Sequence, residues 1–137
     1  MTDVALAKLA SIRRCVQRIR DVTQADATRV HDLDVQDIVV LNLQRAIQAA
    51  IDLAAHILAQ QNWGLPDSLK AHFTILERQH VISQKLARQL QAMVGFRNIA
   101  VDDYEAIDPD IVQAIVASRL PDLEAFAAAV TRFLPPA

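Results

Sequence analysis

Residues 38–58, IVVLNLQRAIQAAIDLAAHIL, decide the fold class of this chain. Apolar side chains recur in this stretch at every third or fourth position, which is the spacing of one face of an α-helix. The positions on that face are Val40, Leu43, Ile47, Ala50, Ala54 and Ile57. A second apolar strip runs beside it through Ile38, Leu41, Ile51 and Leu58. Two strips on one helix predict contact with both a bundle core and a partner surface.

The same periodicity predicts helices on both sides of this stretch. We expect helices over 5–22, from 34 to about 61, over 66–78 and over 83–100, and a last helix from 109 that is kinked or briefly broken near Leu120. The chain contains only two glycines and five prolines, which favours helix over sheet. The sequence therefore predicts an all-α fold, an antiparallel bundle of four or five helices in a single domain over residues 1–137.

Capping residues mark the predicted helix boundaries. Asp34 is predicted to cap the long second helix, and Ser83 to cap the fourth. Asp108-Pro109 has the form of an N-cap followed by proline at the first helical position. Gly64 can adopt the left-handed conformation that ends a helix, and Pro66 suits the start of the third.

Composition and charge exclude several functional classes. A net charge of −2 argues against a surface that binds nucleic acid by bulk electrostatics, so any RNA contact must be local. The single cysteine, Cys15, excludes an intramolecular disulfide and offers no metal-ligand spacing. No apolar run reaches the roughly 18 residues that span a bilayer, and the N-terminus lacks a secretion signal. We therefore expect a cytoplasmic protein that is neither exported nor embedded in a membrane and carries no metal or cofactor.

Arg97 occupies an apolar position of the predicted fourth helix. Steps of four and three residues join Leu86, Leu90, Met93, Arg97 and Ala100. Burial of an unpaired guanidinium costs several kcal/mol, so Arg97 must meet a carboxylate, a polar groove or a bound anion. Two interpretations follow from periodicity: a structural salt bridge to Asp102 or Asp103, or an anion-binding site. Gly95 nearby costs about 1 kcal/mol relative to alanine in a helix, which predicts close approach of another backbone.

The run Met-Val-Gly-Phe-Arg-Asn-Ile-Ala-Val at 93–101 resembles the HepT-like branch of the HEPN superfamily. Weaker matches at 41–46, 64–66 and 73–76 extend the resemblance over nearly the whole chain. Members of this family are small helical toxins of type II toxin–antitoxin systems, paired with a minimal nucleotidyltransferase antitoxin. The resemblance therefore implies that antitoxin as a partner and RNA as a substrate.

The resemblance also implies roles for individual residues. Family members are metal-independent ribonucleases that form homodimers, so that their arginine-bearing helices face each other across one composite cleft. The family motif reads Arg, four residues, His, one residue, Tyr; Arg97 and Tyr104 match it, and Asp102 occupies the histidine position. By resemblance, Arg97 contacts the scissile phosphate, Asn98 supports the phosphate site or the facing helix, and Tyr104 accepts AMP from the antitoxin.

The replacement of histidine by Asp102 changes the expected activity. Histidine exchanges protons near neutral pH because its unperturbed pKa is about 6.5, whereas an aspartate with a pKa of about 3.9 is ionised and donates poorly. A carboxylate also repels a phosphate. We therefore expect a ribonuclease lineage with little or no RNA cleavage by this chain. The alternative functions are a non-catalytic helical module that regulates or presents substrate to a nucleotidyltransferase, and a plain dimeric scaffold in which Arg97 is structural.

Overall fold

The computed structural model describes residues 1–136, which form six α-helices and two short 3-10 turns without a β-strand. The helices are α1 (Asp3–Thr23), α2 (Leu33–Gln61), α3 (Leu69–Arg78), α4 (Gln84–Asp102), α5 (Pro109–Ser118) and α6 (Leu120–Phe133). The 3-10 turns are Ala27–His31 and Tyr104–Ala106. The all-α prediction is confirmed, and the sixth helix arises because the predicted last helix is divided into α5 and α6.

Helices α1 and α2 form a long antiparallel pair at the centre of the bundle. The Thr2 hydroxyl lies 2.8 Å from His56 Nε2, and Lys8 Nζ donates to Asp52 at 2.9 Å. These contacts join the start of one helix to the later turns of the other, as an antiparallel pair requires. At the opposite end of α1, Arg20 reaches across to α6.

Helix α2 supplies the middle of the core and contacts each of the other five helices. Its two apolar strips are therefore covered mainly within the chain: Ile51 and Leu58, from the second strip, are buried, while Leu41 is 44% exposed. The expected partner surface along the second strip is wrong for these two residues, because α2 is surrounded by its own bundle. Phe73 of α3 and Phe126 of α6 close the core with an edge-to-face contact at 5.7 Å between ring centroids.

Helix α2 is also apolar and long enough to cross a membrane by length and composition alone. More than half of its apolar stretch is buried in the fold. The expectation that no stretch reaches this length is therefore too strict for α2. Its central position accounts for the apolar content, since a helix surrounded by neighbours is apolar on most of its faces.

The structure corrects the predicted start of α2. The helix is capped by Asp32, whose Oδ1 accepts from the backbone amides of Asp34 at 2.9 Å and Val35 at 3.1 Å. Asp34 instead lies in the first turn of the helix. The 3-10 turn Ala27–His31 leads directly into this cap. The polar composition of the segment predicts a loop and gives no sign of the turn.

The connection from α2 to α3 also differs from the prediction. The left-handed residue that ends α2 is Asn62, with φ of 56°, and Gly64 adopts φ of +97° two residues later. Helix α3 is capped by Ser68, whose hydroxyl accepts from the Ala71 amide at 3.1 Å, so Pro66 lies in the connecting loop. Asparagine tolerates the left-handed region because its short amide side chain bonds locally.

The predicted caps of α4 and α5 are confirmed. The Ser83 hydroxyl accepts from the Leu86 amide at 3.1 Å and caps α4. Asp108 caps α5 with Pro109 in its first turn. The bundle turns between α5 and α6 because Pro121, which has no amide proton, fits only in the first turn of the following helix.

Candidate active site at the end of helix α4

The residues singled out from the sequence lie at the C-terminal end of α4 and in the turn that follows it. Arg97 and Asn98 belong to the last turns of the helix, Asp102 is its final residue, and Tyr104 opens the 3-10 turn. The helix ends where Asp103 takes φ of −151° and ψ of 71°, with its amide bonded to the Ile99 carbonyl at 2.8 Å. The sequence therefore concentrates these side chains at one end of the bundle.

Arg97 lies on the apolar stripe of α4, as predicted, between the buried side chains of Met93 and Ala100. Its guanidinium is half-buried, and Nη1 donates to the Asn98 side-chain oxygen at 3.1 Å. Its Nε is buried without a hydrogen-bond partner among residues 1–136.

Arg97 also lacks a carboxylate partner in the described part of the chain. Within residues 1–136, no carboxylate oxygen lies within 4 Å of its guanidinium, so the structural salt bridge to Asp102 or Asp103 is wrong. Salt bridges within residues 1–136 involve Lys8 with Asp52, Arg20 with Glu124 and Arg119 with Asp122. A partly desolvated guanidinium with free donors is what an anion-binding site requires.

The sequence predicts that Gly95 allows another backbone to approach α4 closely, and this does not happen within one chain. A Cβ built there would meet only Lys70 Nζ, at 3.8 Å, which is ordinary van der Waals contact. No other backbone in the described part of the chain comes close to it. The expectation of close backbone approach is therefore wrong for the single chain.

Asp102 is exposed at the end of α4. In residues 1–136, its carboxylate forms neither a salt bridge nor a side-chain hydrogen bond. Asn98, which accepts from Arg97, is half-buried. In the structure, Arg97 therefore forms a hydrogen bond with Asn98, whereas the Asp102 carboxylate is exposed to solvent at the end of the helix.

Tyr104 contacts a residue that is far from it in the sequence. Tyr104 is 43% exposed, and its hydroxyl donates a hydrogen bond to the carboxylate of Asp37 in the second turn of α2. Burial, followed by this hydrogen bond and the negative charge of Asp37, raises the pKa of Tyr104 to about 12. The phenol is therefore neutral and directed at a carboxylate at physiological pH.

Asp37 was not predicted from the sequence. It lies 67 positions before Tyr104, and an exposed aspartate on the polar side of an amphipathic helix has no local pattern that separates it from a solvated charge. Only the packing of the α2 start against the end of α4 brings the two side chains together.

Cys15 is part of the core and not of this site. It is buried, and burial raises the pKa of its thiol although the positive charges of Arg14 and Arg45 oppose that shift. Residues 1–136 contain no group of three or more His, Cys, Asp or Glu side chains placed to hold a metal ion.

An open apolar groove runs between α4 and α5 beside the candidate site. Phe96 and Ile111 line two adjoining parts of it, one of which Ile99 also lines. Ile99 and Ile111 are 46% and 51% exposed along this groove, so it presents apolar side chains to solvent. The last turn of α4 therefore carries a polar site and an apolar surface next to each other.

The chain is similar in sequence to known proteins of one family. The protein-family profile described as Ribonuclease HepT-like matches residues 9–130. The mRNA nuclease HepT of Shewanella oneidensis is 44% identical over 126 residues, which cover 92% of this chain and 95% of that protein. The tRNA nuclease HepT of Aphanizomenon flos-aquae is 29% identical over 92 residues, or 67% of this chain and 63% of that protein.

Solved structures show the same architecture. The tri-AMPylated Shewanella oneidensis HEPN toxin in complex with MNT antitoxin aligns with a TM-score of 0.90 and 42% identity, over 96% of this chain and 99% of that one. A toxin–antitoxin structure with AMP-PNP aligns with a TM-score of 0.90 and 41% identity over the same shares. This chain belongs to the HepT-like ribonuclease family of the HEPN toxins.

Proposed function

We propose that this chain is the toxin component of a toxin–antitoxin pair, that it descends from RNA endonucleases, and that its Asp102 form cleaves RNA weakly or not at all. The observation that carries the proposal is the Arg97 guanidinium, which is half-buried beside Asn98 and has no carboxylate partner within residues 1–136. Relatives described as mRNA and tRNA nucleases support RNA as the ligand. The proposed unit is residues 1–137 as one domain, acting in the cytoplasm, where RNA is available.

The chemistry of RNA cleavage assigns a role to Arg97. Attack by the 2′-hydroxyl requires removal of its proton, protonation of the leaving 5′-oxygen and positive charge at the phosphate. Arg97 supplies that charge through donors that are not used inside the bundle, and Asn98 orients the guanidinium through its side-chain oxygen. Neither residue transfers protons at neutral pH, so the reaction depends on the group at position 102.

Asp102 accounts for the expected loss of activity. Its carboxylate is exposed at the end of α4, on the same helix as Arg97, where it adds negative charge near the proposed phosphate site. Histidine at this position can both accept and donate a proton near pH 7. Loss of one acid–base group typically lowers the rate by about 10²-fold to 10⁴-fold.

The test compares RNA cleavage by the purified protein with cleavage by its Asp102→His variant. The variant is expected to cleave a labelled messenger RNA about 10²-fold to 10⁴-fold faster. Asp103→His is the matched control, because it places the same imidazole one residue away, and it is expected to leave cleavage at the original level. Arg97→Ala in the Asp102→His background is expected to abolish the gain. Equal cleavage by the original protein and the Asp102→His variant contradicts the proposal.

We propose that two copies of the chain form a homodimer through the apolar surface beside the site. Ile99 and Ile111 expose apolar area along the groove between α4 and α5, next to the helix that carries Arg97. Packing of this surface against a second copy would remove that area from water and bring the two α4 helices together. Family resemblance supports a cleft in which both Arg97 side chains face one RNA strand.

We also propose that a minimal nucleotidyltransferase antitoxin is the partner and that it transfers AMP to Tyr104. The Shewanella oneidensis toxin whose fold this chain shares is tri-AMPylated and in complex with an MNT antitoxin. Tyr104 is 43% exposed, so a partner can approach it at the surface. A bulky anionic adduct at this position would add negative charge at the end of the bundle that carries Arg97 and oppose the binding of RNA there. Intact mass after incubation with the antitoxin, ATP and Mg²⁺ tests this, and an unmodified Tyr104 contradicts it.

The non-catalytic module is the second candidate function, and Asp102 is the observation that favours it. A helical partner of a nucleotidyltransferase needs Tyr104 and a docking surface but no proton-transfer residue. Expression of the Asp102→His variant in growing cells separates the two. Growth arrest supports a toxin whose activity is suppressed by Asp102, whereas normal growth of cells that contain the folded variant supports the module.

A further inference from the structure

We propose that Asp37 is the general base for modification of Tyr104: it holds the phenol in place and accepts its proton when the hydroxyl attacks a nucleotide. This inference rests on the proposed modification of Tyr104 by a nucleotidyltransferase. The catalytic group, Asp37, then belongs to the chain that is modified. It lies on α2, outside the motif from Arg97 to Tyr104.

The contact between the two residues carries the inference. The Tyr104 hydroxyl is the donor and the Asp37 carboxylate the acceptor, and both side chains are exposed enough for a partner to approach. In residues 1–136, Asp37 is the hydrogen-bond partner of this hydroxyl, and Asp37 forms no salt bridge to a basic side chain. Its carboxylate is therefore free to take a proton.

The position of Asp37 on its helix is consistent with a rigid base. It lies in the second turn of α2, just after the Asp32 cap, in a helix whose neighbouring residues Gln36 and Val39 are buried. Tyr104, in contrast, lies in a short 3-10 turn that has no side-chain cap. The hydrogen bond thus fixes a side chain on a short turn against a rigid helix, which orients the hydroxyl for attack.

The chemical step balances with ATP as co-reactant. The Tyr104 oxygen forms a bond to the α-phosphorus of ATP, the bond from that phosphorus to the bridging oxygen breaks, and pyrophosphate leaves. The phenolic proton passes to the Asp37 carboxylate. A base is needed because the neutral phenol is a weak nucleophile and the same environment raises the pKa of Tyr104, so the phenolate does not form in advance.

The modification also breaks the contact that promotes it. The phenolic oxygen becomes an ester oxygen without a proton, so it no longer donates to Asp37. The new phosphodiester carries a negative charge that Asp37 repels. Because one phenol oxygen accepts only one phosphorus, any further AMP units must attach to the adduct, where Asp37 has no part. Asp37 therefore acts on the first addition alone.

The experiment measures nucleotide transfer to the full-length protein by its purified cognate nucleotidyltransferase with ATP and Mg²⁺, followed by intact mass. Asp37→Asn keeps the shape of the side chain and removes the base; it is expected to slow the first addition by about 10²-fold. The ratio of longer adducts to the single adduct, measured from a premodified sample, is expected to stay unchanged. Asp34→Asn, the same charge change on the same helix, is the matched control and is expected to modify at the original rate.

Two further readouts separate a base from a merely structural residue. The rate for Asp37→Asn is expected to rise tenfold per pH unit near neutrality, because hydroxide or the phenolate must replace the base, while the original protein shows a weaker dependence. The chain has a single tyrosine, so its ultraviolet titration reports Tyr104 alone. Asp37→Asn is expected to lower that pKa from about 12, which verifies the contact in a folded variant.

The outcomes distinguish the inference from the function on which it rests. If the original protein is not modified, the proposed modification of Tyr104 fails. If the original protein is modified and Asp37→Asn is modified at the same rate with the same pH profile, Asp37 is not the base and this inference alone fails. A slow Asp37→Asn variant with a steeper pH profile supports both.

Discussion

At the scale of single residues, Arg97 shows how a local conflict in the sequence marks a site. Periodicity placed it on an apolar stripe, and the structure confirms that position between Met93 and Ala100. Periodicity left two explanations open, and the structure rejects the salt bridge to Asp102 or Asp103. The Nε of Arg97 is buried without a hydrogen-bond partner among residues 1–136, and an unsatisfied buried donor carries a cost in stability. Such a cost is consistent with a residue retained to bind an anion.

Arg97→Met keeps an unbranched apolar stem and removes the unsatisfied donor, so the free energy of unfolding is expected to rise by about 1 kcal/mol. Denaturant unfolding of the purified protein measures the change. Arg88→Met, an exposed arginine on the same helix, is the control and is expected to stay within about 0.5 kcal/mol. A loss of stability in Arg97→Met would mean that the guanidinium is structural.

At the scale of elements, α4 contains a glycine that the free chain does not need. A Cβ at Gly95 has room, since the nearest side-chain atom is Lys70 Nζ at 3.8 Å. Glycine inside a helix costs conformational entropy relative to alanine. The sequence correctly marks Gly95 as unusual, but within the single chain its close approach to another backbone does not occur.

Gly95→Ala is therefore expected to stabilise the protein by about 0.5–1 kcal/mol in thermal or denaturant unfolding. Ala92→Gly, an exposed position one turn earlier on the same helix, is the reverse control and is expected to destabilise by a similar amount. A destabilised Gly95→Ala variant would show that the helix environment is tighter than its neighbours indicate.

The start of α2 provides a second prediction at this scale. Asp32 accepts hydrogen bonds from two backbone amides, whereas Asp34 lies in the first turn, where its charge interacts with the helix dipole. Asp32→Ala is expected to cost about 1 kcal/mol, and Asp34→Ala no more than about 0.5 kcal/mol. Urea unfolding of both variants, at the same ionic strength, ranks them. The opposite ranking would restore Asp34 as the cap.

At the scale of the whole molecule, the apolar surface beside the site is the basis of the proposed dimer. Ile111 is 51% exposed in the groove between α4 and α5. Ile111→Glu is expected to weaken dimerisation by at least about 10²-fold, because each interface loses two buried isoleucines and gains two desolvated charges. Sedimentation equilibrium measures the mass of each variant in solution.

Leu65→Glu is the control for this experiment. Leu65 is 98% exposed in the loop between α2 and α3, so the same change in charge and size there is expected to leave the dimer intact. A dimeric Ile111→Glu protein would place the interface elsewhere on the bundle. A monomeric original protein would remove the composite cleft from the proposed function.

The sequence alone determined the helices, most of their boundaries and the position of Arg97, because helical hydrogen bonds and apolar periodicity are local properties. It also determined the family motif and the replacement at Asp102. It misplaced the α2 cap by two residues, since a 3-10 turn carries little periodic signal. The tertiary structure alone decided which side chains meet: the pairing of Tyr104 with Asp37, the absence of a carboxylate near Arg97 within residues 1–136, and the burial of Ile51 and Leu58. These contacts depend on how distant helices pack, and one amphipathic helix does not specify which residues of another it will touch.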